Sequence, residues 1–184
     1  INNEDQAYVD LSSYNNFWDD GYPSGGNYWS DHTGVDVKSG SYQNEAGSDG
    51  VGDTSYIIDA NNNDRYPAMG QFTMFDAGVW YESYSIDIIS NSTVSNFQLD
   101  IEGKIVRFNV TGSDYTSGFC RVTIPSIIVQ DLWRDSYIVL INGQPVEFRN
   151  WTDAESVYIY FAYSHSTKEV VVIIPEFPSS IILL

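Results

Sequence analysis

The pattern of apolar and polar positions changes near residues 76–79. After this point, short runs of β-branched and aromatic residues alternate with polar ones at a period of two, as in half-buried strands. We predict strands at residues 84–89, 94–101, 104–111, 118–124, 137–141, 144–151, 156–163 and 168–174. Their spacing of roughly 8–12 residues is typical of an all-β sandwich.

Two local features refine this prediction. The dipeptide Asn142-Gly143 separates two predicted strands, and it favours a type I′ hairpin turn because both central residues of that turn need positive φ. Residues 131–135 favour a helical turn, but no segment sustains a 3.6-residue period. Helix should therefore be sparse.

The first part of the chain is polar, aromatic and dense in turn residues. Residues 1–78 contain 13 acidic and two basic residues, a net charge of −11, together with 10 of the 14 glycines. We therefore divide the chain into an acidic segment at 1–78, a β-sandwich at 79–175 and a tail at 176–184.

The charge of the whole chain limits its partners. Its net charge is −17, and Lys and Arg are not clustered, so nucleic acid and anionic membrane surfaces are poor partners, and we predict no binding to nucleic acid. One cysteine cannot close a disulfide within the chain, and one cysteine with two histidines cannot form an ordinary zinc site. An acidic, oxygen-rich chain is instead suited to a hard cation such as calcium.

Residues 45–53 are spaced like an EF-hand-type calcium loop, with Gly50 at the position of the sharp turn. Positions 3 and 12 of that motif lack oxygen ligands here, so oxygens from elsewhere must complete the set. The predicted ligands within the loop are Glu45, Asp49, the carbonyl of Val51, and Asp53.

A second alternating pattern of oxygen-bearing side chains follows at Asp59, Asn61 and Asn63, and Asp31 and Asp36 are the next candidate ligands. Asp and Asn are also common in turns without any metal, because their side chains bond to nearby backbone. Two such patterns within twenty residues, in a segment with a net charge of −11, favour at least one calcium ion.

Aromatic residues Trp18, Tyr22, Tyr28 and Trp29 surround the glycines at positions 21, 25 and 26. Such rings can stack on carbohydrate, but a loop-rich domain with few aliphatic residues also needs them as its core. We favour the core and keep carbohydrate binding as an alternative.

Residues 16–31 (NFWDDGYPSGGNYWSD), 47–53 (GSDGVGD), 56–59 (YIID) and 63–67 (NDRYP) resemble the segment that closes NosD-like right-handed parallel β-helices. The resemblance covers about residues 14–69. It implies a secreted archaeal surface protein in which residues 1–13 form the last coil or strand of a β-helix. In that family two acidic motifs adjoin, whereas here residues 37–48 separate Asp36 from Asp49.

The second part resembles a juxtamembrane immunoglobulin-like domain of archaeal surface proteins. The residues concerned are 108–112 (FNVTG), 118–125 (GFCRVTIP), 139–146 (VLINGQPV), 158–167 (YIYFAYSHST) and 174–179 (IPEFPS). The resemblance implies an immunoglobulin-like sandwich whose tail precedes a membrane helix. Only residues 181–184 follow the tail here, so we expect a membrane link only through a segment absent from this chain.

Candidate catalytic groups are sparse. His165 lies between Ser164 and Ser166, but neighbours along a strand point to opposite faces, so we expect a structural role. Cys120 in its apolar strand should be a buried, inert thiol. We predict that the chain is not an enzyme. Three glycosylation sequons, at Asn91, Asn109 and Asn150, are typical of a secreted surface domain.

These observations predict a non-enzymatic, calcium-stabilised structural or adhesion module of an archaeal cell-surface glycoprotein, located outside the cell. Its expected partners are other copies of itself or neighbouring surface-layer proteins. One alternative is a subunit of an extracellular filament or layer, assembled by exchange of strands from residues 1–13 or 168–184. A second alternative is a protein that binds or degrades polysaccharide.

Overall fold

The computed structural model describes Ala7, Val9 and residues 16–173. Two antiparallel five-stranded sheets form a β-sandwich, joined by one short helix. The sandwich elements are β5 (Gln71–Val79), β6 (Ser83–Ser90), β7 (Thr93–Asp100), β8 (Ile105–Thr111), β9 (Ser117–Pro125), α1 (Ser126–Trp133), β10 (Ile138–Ile141), β11 (Gln144–Val146), β12 (Arg149–Thr152), β13 (Ser156–Ser164) and β14 (Lys168–Ile173). The segment before them carries four two-residue strands, β1 (Lys38–Ser39), β2 (Glu45–Ala46), β3 (Tyr56–Ile57) and β4 (Asn63–Asp64).

The two sheets enclose one apolar core. The front sheet has the strand order β12-β13-β9-β6-β5, and the back sheet has the order β11-β10-β14-β8-β7. Alternate residues of each strand point inward, as the period-two pattern predicts. The largest core side chains include Ile86, Phe108, Ile124, Ile159 and Phe161. The all-β sandwich predicted from the sequence is therefore confirmed at this level.

The prediction of one continuous strand at residues 144–151 is wrong. Residues 144–151 form two strands that belong to different sheets, since β11 pairs with β10 in the back sheet and β12 pairs with β13 in the front sheet. Glu147 and Phe148 carry the chain from one sheet to the other. Periodicity cannot show this crossing, because both strands keep the alternation of a half-buried strand.

The sandwich also begins earlier in the chain than the change of pattern indicates. Strand β5 pairs with β6 along Gln71 to Val79, so the front sheet takes its edge strand from the end of the acidic segment. The side chains of Phe72 and Met74 point outward on this strand and are 58% and 66% exposed. Its apolar residues thus face both inward and outward, which hides the alternation.

The helix α1 begins upstream of the expected turn at residues 131–135 and ends within it, at Trp133. Ile128, Val129, Leu132 and Trp133 are buried against the sandwich, which is the i, i+1, i+4, i+5 pattern of a helix face. Arg134 ends the helix in a left-handed conformation with a φ of 49°. A helix of eight residues is too short for its 3.6-residue period to be distinguished in the sequence from a short apolar strand.

The predicted hairpin turn is confirmed. Ile141 pairs with Gln144, so Asn142 and Gly143 form a two-residue turn between β10 and β11. Their φ angles of 49° and 75° are both positive, as a type I′ turn requires.

Strand β14 lies inside the back sheet, where it pairs with β10 on one side and β8 on the other. Residues 168–173 therefore do not offer an unpaired edge, contrary to the strand-exchange alternative. Residues 174–184, and residues 1–13 apart from Ala7 and Val9, lie outside the described part of the chain.

Residues 16–70 fold as an irregular layer on the outer face of the front sheet. The layer has a small core of its own at Trp29, Val51 and Ala68, all nearly buried, with backbone bridges from Ala68 to Val51 and to Tyr28. Gly50 lies directly over the side chain of Arg121 with a φ of 85°, and a Cβ here would press against Arg121 at 3.0 Å.

Candidate functional site

The structure brings together three of the predicted calcium ligands, Asp36, Asp49 and Asp53. Their negative charges are close enough that both Asp49 and Asp53 raise the pKa of Asp36, on top of the larger effect of burial, to about 6. Burial also raises the pKa of Asp49, although Arg121 acts in the opposite direction. This group of three carboxylates is the most strongly negative part of the predicted site.

Backbone N–H groups donate hydrogen bonds to these carboxylates. Asp36 accepts hydrogen bonds from the backbone of Asp49 and Gly50 at 3.0 and 2.7 Å. Asp53 accepts two, from Val37 and Lys38, each at 3.0 Å. The carboxylates therefore stabilise the turns around them. This is the role of Asp and Asn in turns without a metal, which the sequence analysis gave as the other interpretation.

The other ligands predicted from residues 45–53 and their neighbours do not join this group directly. Glu45 is exposed on β2, and Asp31 accepts a hydrogen bond of 3.0 Å from the hydroxyl of Tyr56. Val51 is buried and donates its N–H to Asp49 at 3.0 Å.

The second predicted loop forms the turn between β3 and β4, with Asn61 and Asn63 exposed. Asp59 accepts hydrogen bonds from the backbone of Asn61 and Asn62 at 2.7 and 2.9 Å. Asn62 was not among the predicted ligands, yet its buried amide oxygen accepts hydrogen bonds from Asn16 and from the indole of Trp18. Within the described residues, no three His, Cys, Asp or Glu side chains are arranged to hold a metal ion.

Arg121 joins the acidic layer to the sandwich. Its side chain projects from strand β9 on the face opposite the sandwich core and is fully buried beneath the layer. It donates hydrogen bonds to the backbone carbonyl of Asp49, at 2.5 Å, and to that of Pro23. Its guanidinium carbon lies 4.9 Å from the ring centre of Tyr158 and 5.8 Å from that of Trp151. Burial lowers the pKa of Arg121, and the negative charge of Asp49 opposes this shift.

Arg149 makes a second link of the same kind from strand β12. Its guanidinium donates to the carbonyl of Ser48 at 3.1 Å and to the hydroxyl of Ser39 at 2.9 Å. It also lies 5.1 Å from the ring centre of Trp151. Two of the six basic residues after residue 78 thus hold the acidic layer against the front sheet.

The aromatic residues of the layer divide into core and surface. Trp29 is buried and stacks on Tyr56, with ring centres 4.3 Å apart and planes 6° apart, and its indole donates to Asp64 at 2.8 Å. Tyr22 packs against Tyr66. The core role that the sequence favoured fits these rings, whereas Trp18 is half-buried and Tyr28 is 42% exposed.

Two adjoining cavities, of about 260 and 380 Å³, share Phe17, Trp18 and Asp19 in their walls. The smaller one is completed by Asp20, Gly25, Gly26 and Asn27, and the larger one by Asn16, Asn63 and Arg65. We refer to these two cavities together as the Trp18 cleft. Phe17 is 96% exposed beside it.

His165 forms a polar cluster at one end of the sandwich. Its Nε2 lies 2.8 Å from the hydroxyl of Ser92, and its Nδ1 is hydrogen-bonded to the hydroxyl of Thr116. The Ser92 hydroxyl also lies 2.8 Å from that of Tyr163. The sequence could not show this pair, since 73 positions separate Ser92 from His165. The group beyond the imidazole is a hydroxyl and not the carboxylate of a serine-hydrolase triad.

Cys120 is fully buried, as predicted, and burial raises the pKa of its thiol to about 11. His32 packs against Tyr56 at a ring distance of 5.9 Å, and its Nε2 is buried without a hydrogen-bond partner among the described residues. Burial and the raised pKa of Cys120 keep its reactive thiolate scarce.

The three sequons lie in different surroundings. Asn91 is exposed, and its amide donates to the carbonyl of Ser117 and accepts from the N–H of Phe119, both at 3.0 Å. Asn109 is half-buried on β8, inside the back sheet, and Asn150 is exposed on the edge strand β12. Asn91 and Asn150 are thus more accessible to a glycan than Asn109.

No family model, curated protein or solved structure matches this chain. In the described part of the chain, no helix has the length and apolar character that a membrane crossing requires.

Proposed function

We propose that the chain is a non-enzymatic structural or adhesion module of an archaeal cell-surface protein, exposed outside the cell. The observation that carries this proposal is the fixing of an acidic, irregular layer onto a β-sandwich by the buried Arg121. Such a joint makes one rigid block with a strongly charged face, which suits a structural element better than an enzyme that must open and close.

The resemblance to NosD-like β-helix ends and to juxtamembrane immunoglobulin-like domains supports this location. The negative charge, the three sequons and the Asn-, Asp- and Gly-rich loops point the same way. Protease treatment of intact cells, followed by an antibody against the chain, tests the proposal. We expect degradation without lysis, and protection until the cells are broken would contradict it.

The absence of catalysis is tested separately. We expect no product from neutral or acidic polysaccharides, peptides or simple esters above a heat-denatured control. The Ser92→Ala variant is the informative companion, because Ser92 has the hydroxyl that contacts His165. Product formation that disappears in Ser92→Ala would overturn the non-enzymatic assignment.

We further propose that calcium binds the acidic layer at Asp36, Asp49 and Asp53, whose carboxylates must then move closer together, because no three acidic side chains in the described part of the chain are arranged to hold a metal ion. The mutual repulsion that raises the pKa of Asp36 supports this, because a divalent cation would relieve it. Glu45 and Asp31, two other predicted ligands, lie outside this group and would have to move to complete the ligand set.

The filament alternative gains support from strand β5. It is a nine-residue edge strand with one charged residue, Asp76, and with outward-facing Phe72 and Met74. Natural proteins usually protect such edges, since they pair readily with another strand. A second copy pairing through β5 would join two front sheets into one, and Phe72→Lys, which places a charge on the exposed face of this edge strand, should then abolish any filaments seen by electron microscopy.

A further inference from the structure

The Trp18 cleft brings aromatic and polar side chains together in one concave part of the surface. Its walls combine two aromatic rings, from Phe17 and Trp18, with carboxylate, amide and guanidinium groups from Asp20, Asn27 and Arg65. The larger cavity, at about 380 Å³, falls within the range of roughly 300–1,000 Å³ that small-molecule pockets occupy.

One of the two aromatic rings, that of Trp18, is held in place before any ligand arrives, whereas Phe17 is 96% exposed. The indole N–H of Trp18 donates to Asn62 at 3.4 Å, its backbone carbonyl accepts from the side chain of Asn27 at 2.7 Å, and its ring lies 5.9 Å from that of Trp29. A side chain fixed in this way loses little conformational entropy on binding, which favours affinity.

The polar wall is also fixed. Arg65 donates from two nitrogens to the carboxylate of Asp19, at 2.6 and 3.1 Å, and its backbone N–H donates to the same group at 2.9 Å. Burial acts to raise the pKa of Asp19, but the hydrogen bonds from Arg65 outweigh it and hold the pKa below its usual value. Asp19 and Arg65 thus cancel each other's charge, and Asp20 remains as the net charge of the cleft.

This charge balance decides the class of ligand. An anion would meet Asp20 inside a chain of net charge −17, so phosphate, sulfate and uronic acid groups are disfavoured. A neutral molecule with several hydroxyl groups suits the cleft, because carboxylate and amide oxygens accept from hydroxyls and guanidinium and amide N–H groups donate to them. Such a molecule also needs an apolar face to lie on the rings of Phe17 and Trp18.

We infer that the Trp18 cleft binds neutral polysaccharide, with sugar rings against Phe17 and Trp18 and their hydroxyls on Asp20, Asn27 and Arg65. This deepens the proposed function, since it gives an adhesion module a carbohydrate partner. The inference adds Phe17 to the aromatic residues that could stack on carbohydrate, a role that the sequence analysis considered only for Trp18, Tyr22, Tyr28 and Trp29.

Affinity electrophoresis of the purified chain tests the inference, in gels with mannan, soluble starch or hydroxyethyl cellulose and in matched gels with anionic alginate. We expect at least one neutral polymer to retard the protein and alginate to have no effect. Phe17→Ala should weaken this retardation at least tenfold. Because Phe17 is 96% exposed, the variant should keep its fold, which its melting temperature verifies.

The matched control is Tyr81→Ala, which removes another aromatic ring that is 89% exposed and lies outside the cleft. It should bind like the wild type. Retardation by no neutral polymer, equal loss in both variants, or retardation by alginate alone would overturn the inference. None of these results would contradict the proposed surface location or the proposed absence of catalysis, because those proposals are tested by protease treatment of intact cells and by product formation.

Discussion

The guanidinium of Arg121, on a central strand of the sandwich, donates a hydrogen bond to the backbone carbonyl of Asp49, 72 positions earlier in the chain, over 2.5 Å. The contact places a fully buried positive charge under the most acidic loop of the protein. It links the two parts of the chain that differ most in composition. The acidic layer is therefore bound to the sandwich through a charge as well as through apolar contact.

Replacing Arg121 with Met should destabilise the protein by about 3 kcal/mol, because two carbonyls and the Asp49 carboxylate would lose a buried partner. The natural control is Arg107→Met. Arg107 is on β8 in the back sheet, half exposed, with only a 3.4 Å ion pair to Glu169, so its loss should cost about 0.5 kcal/mol or less. Urea unfolding measures both. Equal effects of the two substitutions would show that Arg121 does not hold the layer.

Calcium should raise the melting temperature, since an ion bound only by the folded state stabilises it by mass action. The Asp53→Asn variant should respond less, because it removes one of the three clustered carboxylates, whereas Asp114→Asn, in a loop of the sandwich, should respond like the wild type. Differential scanning calorimetry in EDTA and in millimolar calcium makes the comparison. Identical curves in the two buffers, with no calcium found by elemental analysis, would rule the site out.

Asp87 should make stability fall with rising pH. Its side chain lies on β6 with Oδ1 buried and without a hydrogen-bond partner among the described residues, and burial raises its pKa above 3.8. The folded state then holds this proton at a pH where the unfolded state has released it, so stability declines as pH rises from about 4 through the raised pKa. The Asp87→Asn variant lacks this decline. Urea midpoints from pH 3.5 to 7 should therefore diverge between the two proteins, and parallel curves would refute the assignment.

Cys120 should resist thiol reagents in the native protein at pH 8 and react once in full after unfolding. The thiol is buried in the core and its pKa is raised to about 11, so the reactive thiolate is scarce and shielded. Because Cys120 is the single cysteine of the chain, labelling counted by mass spectrometry reports this site alone. Rapid labelling of the folded protein would mean that the sandwich opens readily around β9.

The raised pKa of Cys120 also makes stability depend on pH. Above pH 9 the thiol ionises first in the unfolded protein, so the stability gained from keeping Cys120 protonated in the fold is lost between about pH 9 and 11.

The sequence by itself determined the character of each local segment. Alternation of apolar and polar residues located most strands because a residue on a strand faces either the core or the outside, and this choice is visible without knowing the neighbours. The turn at Asn142-Gly143 was equally local, since positive φ at both residues is a property of those residues. The burial of Cys120 followed from its apolar run.

The tertiary structure decided everything that depends on which segments meet. The division of residues 144–151 between two sheets, the edge position of β5 and the inner position of β14 are properties of strand pairing, which period-two patterns do not encode. The contacts of Arg121 with Asp49, of Ser92 with His165, and of Trp18 with Asn62 join residues far apart in the chain. Composition showed that the first part is acidic and aromatic, but only the fold decided which carboxylates cluster, which rings form a core and which line a cleft, because side-chain direction in irregular loops follows long-range packing and not a local period.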